Sequence, residues 1–438
     1  MRVLRFPRIA LAVFCFNFLI LSTAALANDY YVAPTGSDSG AGSQASPWKT
    51  ISHAIGAFSL GSNGAVIHVA AGTYASGIDI TRGGSSPTVR LVLQCDPGAA
   101  SATDAMGQCK ITGSASGIMV EANNVDVVGF DIGGNASMGI GLNSVCNPSG
   151  STVACTTGNS NHFIGNYVHD LASSVPNSVG IVGCPENGAI QVGSNQHGHT
   201  TTDPQAIRNF VLNFGTNPAP TGCNTAQGVY FGSTGSGSSA IIQNNLIIKA
   251  PVSGITNSDN LCNEVITNNT IISTKAGIIL SGDGTNCPGG VPGHNTIANN
   301  AIFNSTNEQV FNVGSTVDCS SGAPTLWSHN VSDGLKADFS PSRASCDTVT
   351  PTPWVHQAGS AFFVNYQTNG SGDYHLQSSS IGIAAGSTTC VSGGMSPCMP
   401  ATDFDGIARA ATVSLGAFDV AESGSLPTAP TGLTAQVQ

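Results

Sequence analysis

Charge is scarce in this chain. Asp, Glu, Lys and Arg make up 8% of its 438 residues, and 13 basic residues face 24 acidic ones. A phosphate polymer would meet a surface of its own sign, so no nucleic-acid partner is expected. Aromatic residues are also few, at 6%. Beyond the first 27 residues no stretch is long and apolar enough for the roughly 20 residues that cross a bilayer, so no membrane span is expected after leader removal. No CxxC pair or Cys/His spacing argues for zinc.

The N-terminus reads as a targeting segment. Arg2, Arg5 and Arg8 form a positive region, Ile9 to Leu21 is apolar, and Ala25-Leu26-Ala27 is a small-x-small cleavage site. Residues 1–27 are therefore expected to be a signal peptide and the protein to be secreted or held at the cell surface. Cysteine usage agrees. Of 13 Cys, Cys15 lies in the leader, and the remaining even number suits disulfides in an exported chain. Local spacing suggests Cys95–Cys109, Cys146–Cys155, Cys184–Cys223, Cys262–Cys287, Cys319–Cys346 and Cys390–Cys398. Each pair brackets a segment rich in turn residues, although spacing does not prove connectivity.

What is abundant is glycine (54 residues), with Ser, Thr and Asn throughout. The middle of the chain repeats a phrase: a short β-branched run, one or two Asn, then a second apolar run. It occurs around Asn166, Asn245, Asn269 and Asn300, with an earlier copy at Asn123-Asn124. Gly-Ile pairs follow at Gly139, Gly180, Gly254 and Gly277. Asn166 to Asn245 is read as about three coils with a large insertion. The runs are too short for helices and read as strands. Asn tolerates the left-handed conformation of a tight corner, and stacked Asn side chains can bond from coil to coil as a ladder. The expected fold is all-β: a right-handed parallel β-helix of roughly ten coils. A β-sandwich with Asn-rich turns is the competing fold, but it would not repeat the phrase at this period.

Solenoid ends need caps. Ser46, Pro47, Trp48, Ile51 and Ile55 suggest a short capping helix that begins at Pro47. The expected organisation is a cap over 28–62, the β-helix over 63–350 and a closing coil over 351–420. Residues 421–438 read as a linker or the start of a fibronectin type III domain.

Two sets of motifs resemble a known group. Tyr31-Val-Ala-Pro-Thr-Gly-Ser-Asp38, Ser46-Pro-Trp-Lys-Thr-Ile51 and Val69-Ala-Ala-Gly-Thr-Tyr74 resemble the opening of secreted bacterial β-helix proteins, among them calcium-dependent, lysine-base pectate lyases. Gly372-Asp-Tyr-His-Leu376, Ser378 to Gly386, Asp403 to Arg409 and Leu415-Gly-Ala-Phe418 resemble the closing region of the choice-of-anchor Q group. The resemblance implies an extracellular polysaccharide as partner and a monomeric chain. It also implies a lysine base just before a Gly-hydrophobic strand, with calcium held by several Asp. Lys275, in Thr274-Lys-Ala-Gly-Ile-Ile, fits that place, and Lys249 lies one coil earlier. No Asp pair in the preceding coils offers calcium its oxygen shell. The plainer role for Lys275 is a solvated corner lysine.

Other candidates come from the residues alone. His169-Asp170 could be a base and its orienter, but adjacent strand residues face opposite sides and should not pair. The segment Ser173 to Thr225 reads as the largest excursion. It carries Glu186, Asn195, His197, His199, Asp203 and Arg208. Of these, His197, His199 and Arg208, with Asp283 of a second cluster, are candidate substrate contacts. His197 and His199 are only two ligands of a metal site. Asp259 and Asp283 could serve as paired carboxylates for hydrolysis, or simply stabilise turns. Asp403-x-Asp405-Gly lacks the further acids of a calcium loop. The functional expectation is a polysaccharide-binding or polysaccharide-degrading protein, possible chemistry being elimination on a uronic-acid polymer. The alternative is a non-catalytic surface module.

Overall fold

In the computed structural model, residues 27–420 are described apart from 97–101, 114–115, 135–137, 143–158, 175, 177–179, 186–187, 194–201, 233–239, 259–262, 281–292, 313–324, 341–347, 350–352 and 393. Three parallel sheets of 11, 10 and 9 strands extend from Asn28–Val32 to Trp354–His356. The first runs from Asn28–Val32 to Thr348–Val349, the second from Gly72–Ala75 to Trp354–His356, and the third from Ile78–Ile80 to Ala337–Ser340. Each coil gives one strand to each sheet. One coil holds Ile241–Gln243, Leu246–Ile248 and Ser253–Ser258. The next holds Val265–Thr267, Thr270–Ile272 and Ala276–Leu280, in direct parallel register with the first. This is the right-handed parallel β-helix.

The interior is a stack of like residues. Ile247, Ile271 and Ile302 lie over one another, as do Ile255, Ile278 and Val310, all buried in one core. Alternation holds where only one face is buried: in Ala65–Ala70 every second residue points inward.

The Asn phrase divides its work between two residues. Asn244, Asn268 and Asn299 take the left-handed conformation, with φ of 55°, 57° and 59°. They turn the chain from the first sheet to the second. The following Asn of each pair builds the ladder. The amide of Asn245 donates to Asn269 Oδ1 (2.9 Å), that of Asn269 to Asn300 Oδ1 (3.0 Å), and that of Asn300 to Asn330 Oδ1 (3.0 Å). The ladder also extends back through Asn209 to Asn166. Asn166 to Asn245 is therefore two coils, with steps of 43 and 36 residues, and not three. Asn124 belongs elsewhere. Its φ of 57° turns the chain into the first sheet, and Phe130 occupies the position equivalent to Asn166.

The capping helix spans Ile51–Ala57, not from Pro47. Thr50 is its N-cap and accepts from the His53 N–H. Trp48 instead bridges to Val32 and stacks on Tyr30. The cap region also contributes the first strand, Asn28–Val32, which pairs with Ala65–Ala70.

Residues 359–420 do not stack as one more coil. They fold back along the outside. Phe362, Phe363, Tyr374, Leu376, Phe404 and Phe418 form a second core with Phe210, Leu246, Ile248, Ile272 and Phe303 on the outer face of the second sheet. Asn244, Asn268 and Asn299 donate to the Thr402, Ser414 and Ser387 carbonyls of this strap. Arg409 donates to Asn244 and to the Gly416 and Ala417 carbonyls. Among the described residues the disulfides Cys95–Cys109, Cys184–Cys223 and Cys390–Cys398 are formed. The proposed partners at Cys146, Cys155, Cys262, Cys287, Cys319 and Cys346 lie outside the described residues.

Candidate functional site

Between the second and third sheets each coil turns through a left-handed residue. Asp170, Asn213, Lys249, Ser273 and Asn304 form this column, with φ from 51° to 60°. The corner is solvent-facing, and the strap packs on the sheet beside it. Lys249 is half-buried in this column, and its charge acts on Asp170 two coils away.

From the Lys249 coil onward, the corner opens into a cleft of about 130 Å³. The 217–219 loop and Pro251 form one wall, and Thr306 and Asn307 the other. Thr274 and Lys275 lie between them. Backbone bonds fix this floor: the Thr306 and Asn307 N–H groups donate to the Thr274 and Lys275 carbonyls (both 3.0 Å). The Asn217 amide donates to the Ser273 carbonyl at 2.8 Å and holds the loop against the coil. Thr274 Oγ1 is buried without a hydrogen-bond partner. Among the described residues the Lys275 ammonium forms no hydrogen bond or ion pair. A lysine cation thus shares the cleft with the polar side chains of Asn217, Thr306 and Asn307.

His169 lies on the outer face of the second sheet beside this corner. Its Nδ1 is 2.8 Å from Asp170 Oδ2 and its Nε2 is 2.9 Å from Asp131 Oδ1. The pairing with Asp170, against the alternation rule, is a finding with a local cause. Asp170 is left-handed (φ 51°), so its side chain swings to the side of its neighbour. Gly133 makes room for the ring, since a Cβ there would sit 2.7 Å from His169 Nε2. Tyr167 stacks on the ring at 4.3 Å. Burial opposes the charged imidazole, but the hydrogen bonds to Asp131 and Asp170 outweigh it and lift its pKa to about 9. His169 is then a cation at neutral pH with both nitrogens engaged.

No family model and no curated protein matches the chain. Several solved structures are similar to it. The pectate lyase Pel9A is 15% identical, with 90% of this chain and 96% of the other covered and a TM-score of 0.44. XylC in complex with xylose is 12% identical over 71% and 67% of the two chains, with a TM-score of 0.47. A rhamnogalacturonan lyase is 10% identical over 75% and 87%, with a TM-score of 0.39.

The remaining candidates scatter. Ser173 to Thr225 is not one excursion: it contains strands Gly188–Gly193, Gln205–Ile207 and Phe210–Phe214. Arg208 is a left-handed corner between the first and second sheets, next to the strap carboxylate of Asp403. It is therefore not in the Lys275 cleft. Burial pulls its pKa down. The Asp405 carboxylate lies 2.8 Å from His375 Nε2, which also has Asp373 on Nδ1. His197, His199, Glu186, Asn195, Asp259 and Asp283 lie outside the described residues.

One cluster went unread in the sequence. On the outer face of the first sheet Arg90 pairs with Asp126, and His162 lies between Asp126 (3.0 Å) and Asp203 (3.2 Å). Superposing Gly129 on Gly165 in the repeat would have set His162 over Asp126, which is their register. These groups satisfy one another, so they brace the coils rather than await a ligand.

Proposed function

We propose that the chain binds an extracellular polysaccharide bearing uronate groups, along the corner between the second and third sheets. The observation that carries this reading is the Lys275 cleft, where an ammonium with no hydrogen bond or ion pair among the described residues shares its lining with Asn217, Thr306 and Asn307. Coils repeat every 4.8 Å or so, so a polymer lying along the axis meets an equivalent turn at each coil. Amides and hydroxyls such as Asn217, Thr306 and Asn307 suit sugar hydroxyls. The ammonium suits a carboxylate. The signal-like leader and the three disulfides support an extracellular setting.

A second reading adds chemistry. Lys275 precedes the strand Ala276–Leu280, where the resembled lyases carry their base. In β-elimination the neutral amine form of Lys275 would take the proton at C5 of the uronate as the C4–O bond breaks, giving a C4=C5 double bond and a leaving O4 that takes a proton from water. Calcium does not fit the described residues: no group of three His, Cys, Asp or Glu converges among them.

The test is calorimetric binding of oligouronides and of neutral oligosaccharides, with ultraviolet absorbance followed for unsaturated ends. Lys275→Met should weaken oligouronide binding roughly tenfold, about 1.4 kcal/mol, and leave neutral ligands unchanged. Absorbance that rises with wild type and not with Lys275→Met supports elimination. Binding without absorbance leaves a binding module. Failure of the wild type to bind any uronate polymer sinks the proposal.

A further inference from the structure

Glu308 stands one coil beyond Lys275, immediately after the Thr306–Asn307 wall of the cleft. Parallel register sets Ala276 beside Glu308, so the two charged side chains come from neighbouring turns, about 4.8 Å apart along the axis. Glu308 is half-buried at the first position of its strand, directly after Thr306 and Asn307 of the cleft. Among the described residues its carboxyl forms no hydrogen bond or ion pair. It does lie within the electrostatic reach of Lys275. Equivalent positions on earlier coils carry Ala276 and Ser253, so the carboxyl enters this column only at the cleft.

A half-buried carboxylate left without donors is costly unless a ligand supplies them. Two oxygens in one plane accept best from two adjacent donors. On a sugar, adjacent donors are a vicinal diol. On a pyranuronate that diol lies across the ring from the carboxylate, and the span is comparable to one coil step. Resting on the uronate reading above, we propose that Glu308 is a specificity-determining residue that accepts hydrogen bonds from a free vicinal diol of the sugar whose carboxylate meets Lys275. The ligand class is then a uronate oligomer unsubstituted on its ring hydroxyls. O-acetylation removes one donor per ester, both in the di-O-acetylated sugar, and brings carbonyl acceptors against the carboxylate, so acetylated oligomers are rejected.

The experiment compares free and O-acetylated oligouronides by calorimetry, with wild type, Glu308→Gln and Lys275→Met. Wild type should prefer the free oligomer at least tenfold. Glu308→Gln keeps the side-chain length but supplies a donor, and should cut that preference to threefold or less while still binding. Lys275→Met should weaken both ligands and keep the preference. Equal preference in wild type and Glu308→Gln overturns the inference while leaving uronate binding intact. Absence of binding by wild type overturns the underlying reading instead. A Glu308→Gln protein with altered circular dichroism is replaced by Glu308→Ala, read against the same two ligands.

Discussion

His169 is held as a cation by its two carboxylate neighbours, and that state has a pH signature. Its folded pKa of about 9 lies above the unfolded value of about 6.5. The stability it contributes is therefore fully present below about pH 6.5 and is lost as pH rises through about 9. Asp170 shifts the other way, since its hydrogen bond with His169 lowers its pKa. Its contribution fades only on acidification. Denaturant unfolding of wild type and His169→Gln should differ most near pH 6 and converge above pH 9. A stability difference that does not change with pH contradicts the cationic pairing. The strict alternation rule forbade this pair because it assumes extended backbone at both residues. A single left-handed residue suspends the rule, and from sequence alone Asp170 carries no sign of it. Lys275 was legible because Gly277-Ile278 marks its strand. Glu308 and Thr274 were not, because a turn residue's role depends on the coil that happens to lie beside it.

The ladder is the element that fixes register. Asn269 accepts from the Asn245 N–H and amide and donates to Asn300 Oδ1 and the Ile242 carbonyl. It is fully buried. Asn269→Ala would leave several of these groups unpaired at about 1–3 kcal/mol each. The expected loss is therefore at least about 3 kcal/mol in urea unfolding, against under about 0.5 kcal/mol for Asn365→Ala on the exposed hairpin. Equal small losses would show that the ladder is incidental to stability. The Asn repeat was readable because both Asn roles demand that residue type. Asn209 was missed because Arg208 takes the turn there, so the doublet is broken. The strap was missed for a different reason. Ile247-Ile248, Ile271-Ile272 and Ile302-Phe303 are consecutive apolar pairs, the pattern of a sheet buried on both faces. That pattern calls for a cover over the second sheet, and the aromatic residues between 362 and 418 supply it.

At the scale of the whole molecule, the strap decides which faces a polymer could use. It seals the outer face of the second sheet and crosses the corner beside the first, over the coils that contain Asn244, Asn268 and Asn299. The corner between the second and third sheets carries the Lys275 cleft on those same coils. The coil architecture was legible in the repeat. The closed face was not, since it depends on contacts between residues more than 80 positions apart, such as Asn299 with Ser387. The position of a bound polymer therefore distinguishes the Lys275 corner from the other faces. Hydroxyl-radical footprinting with a bound oligouronide tests this most directly. Protection is expected at 217–219, 273–275 and 304–308, with Tyr31 and His68 on the outer face of the first sheet unchanged. Protection of Tyr31 and His68 with the Lys275 cleft left open would contradict it.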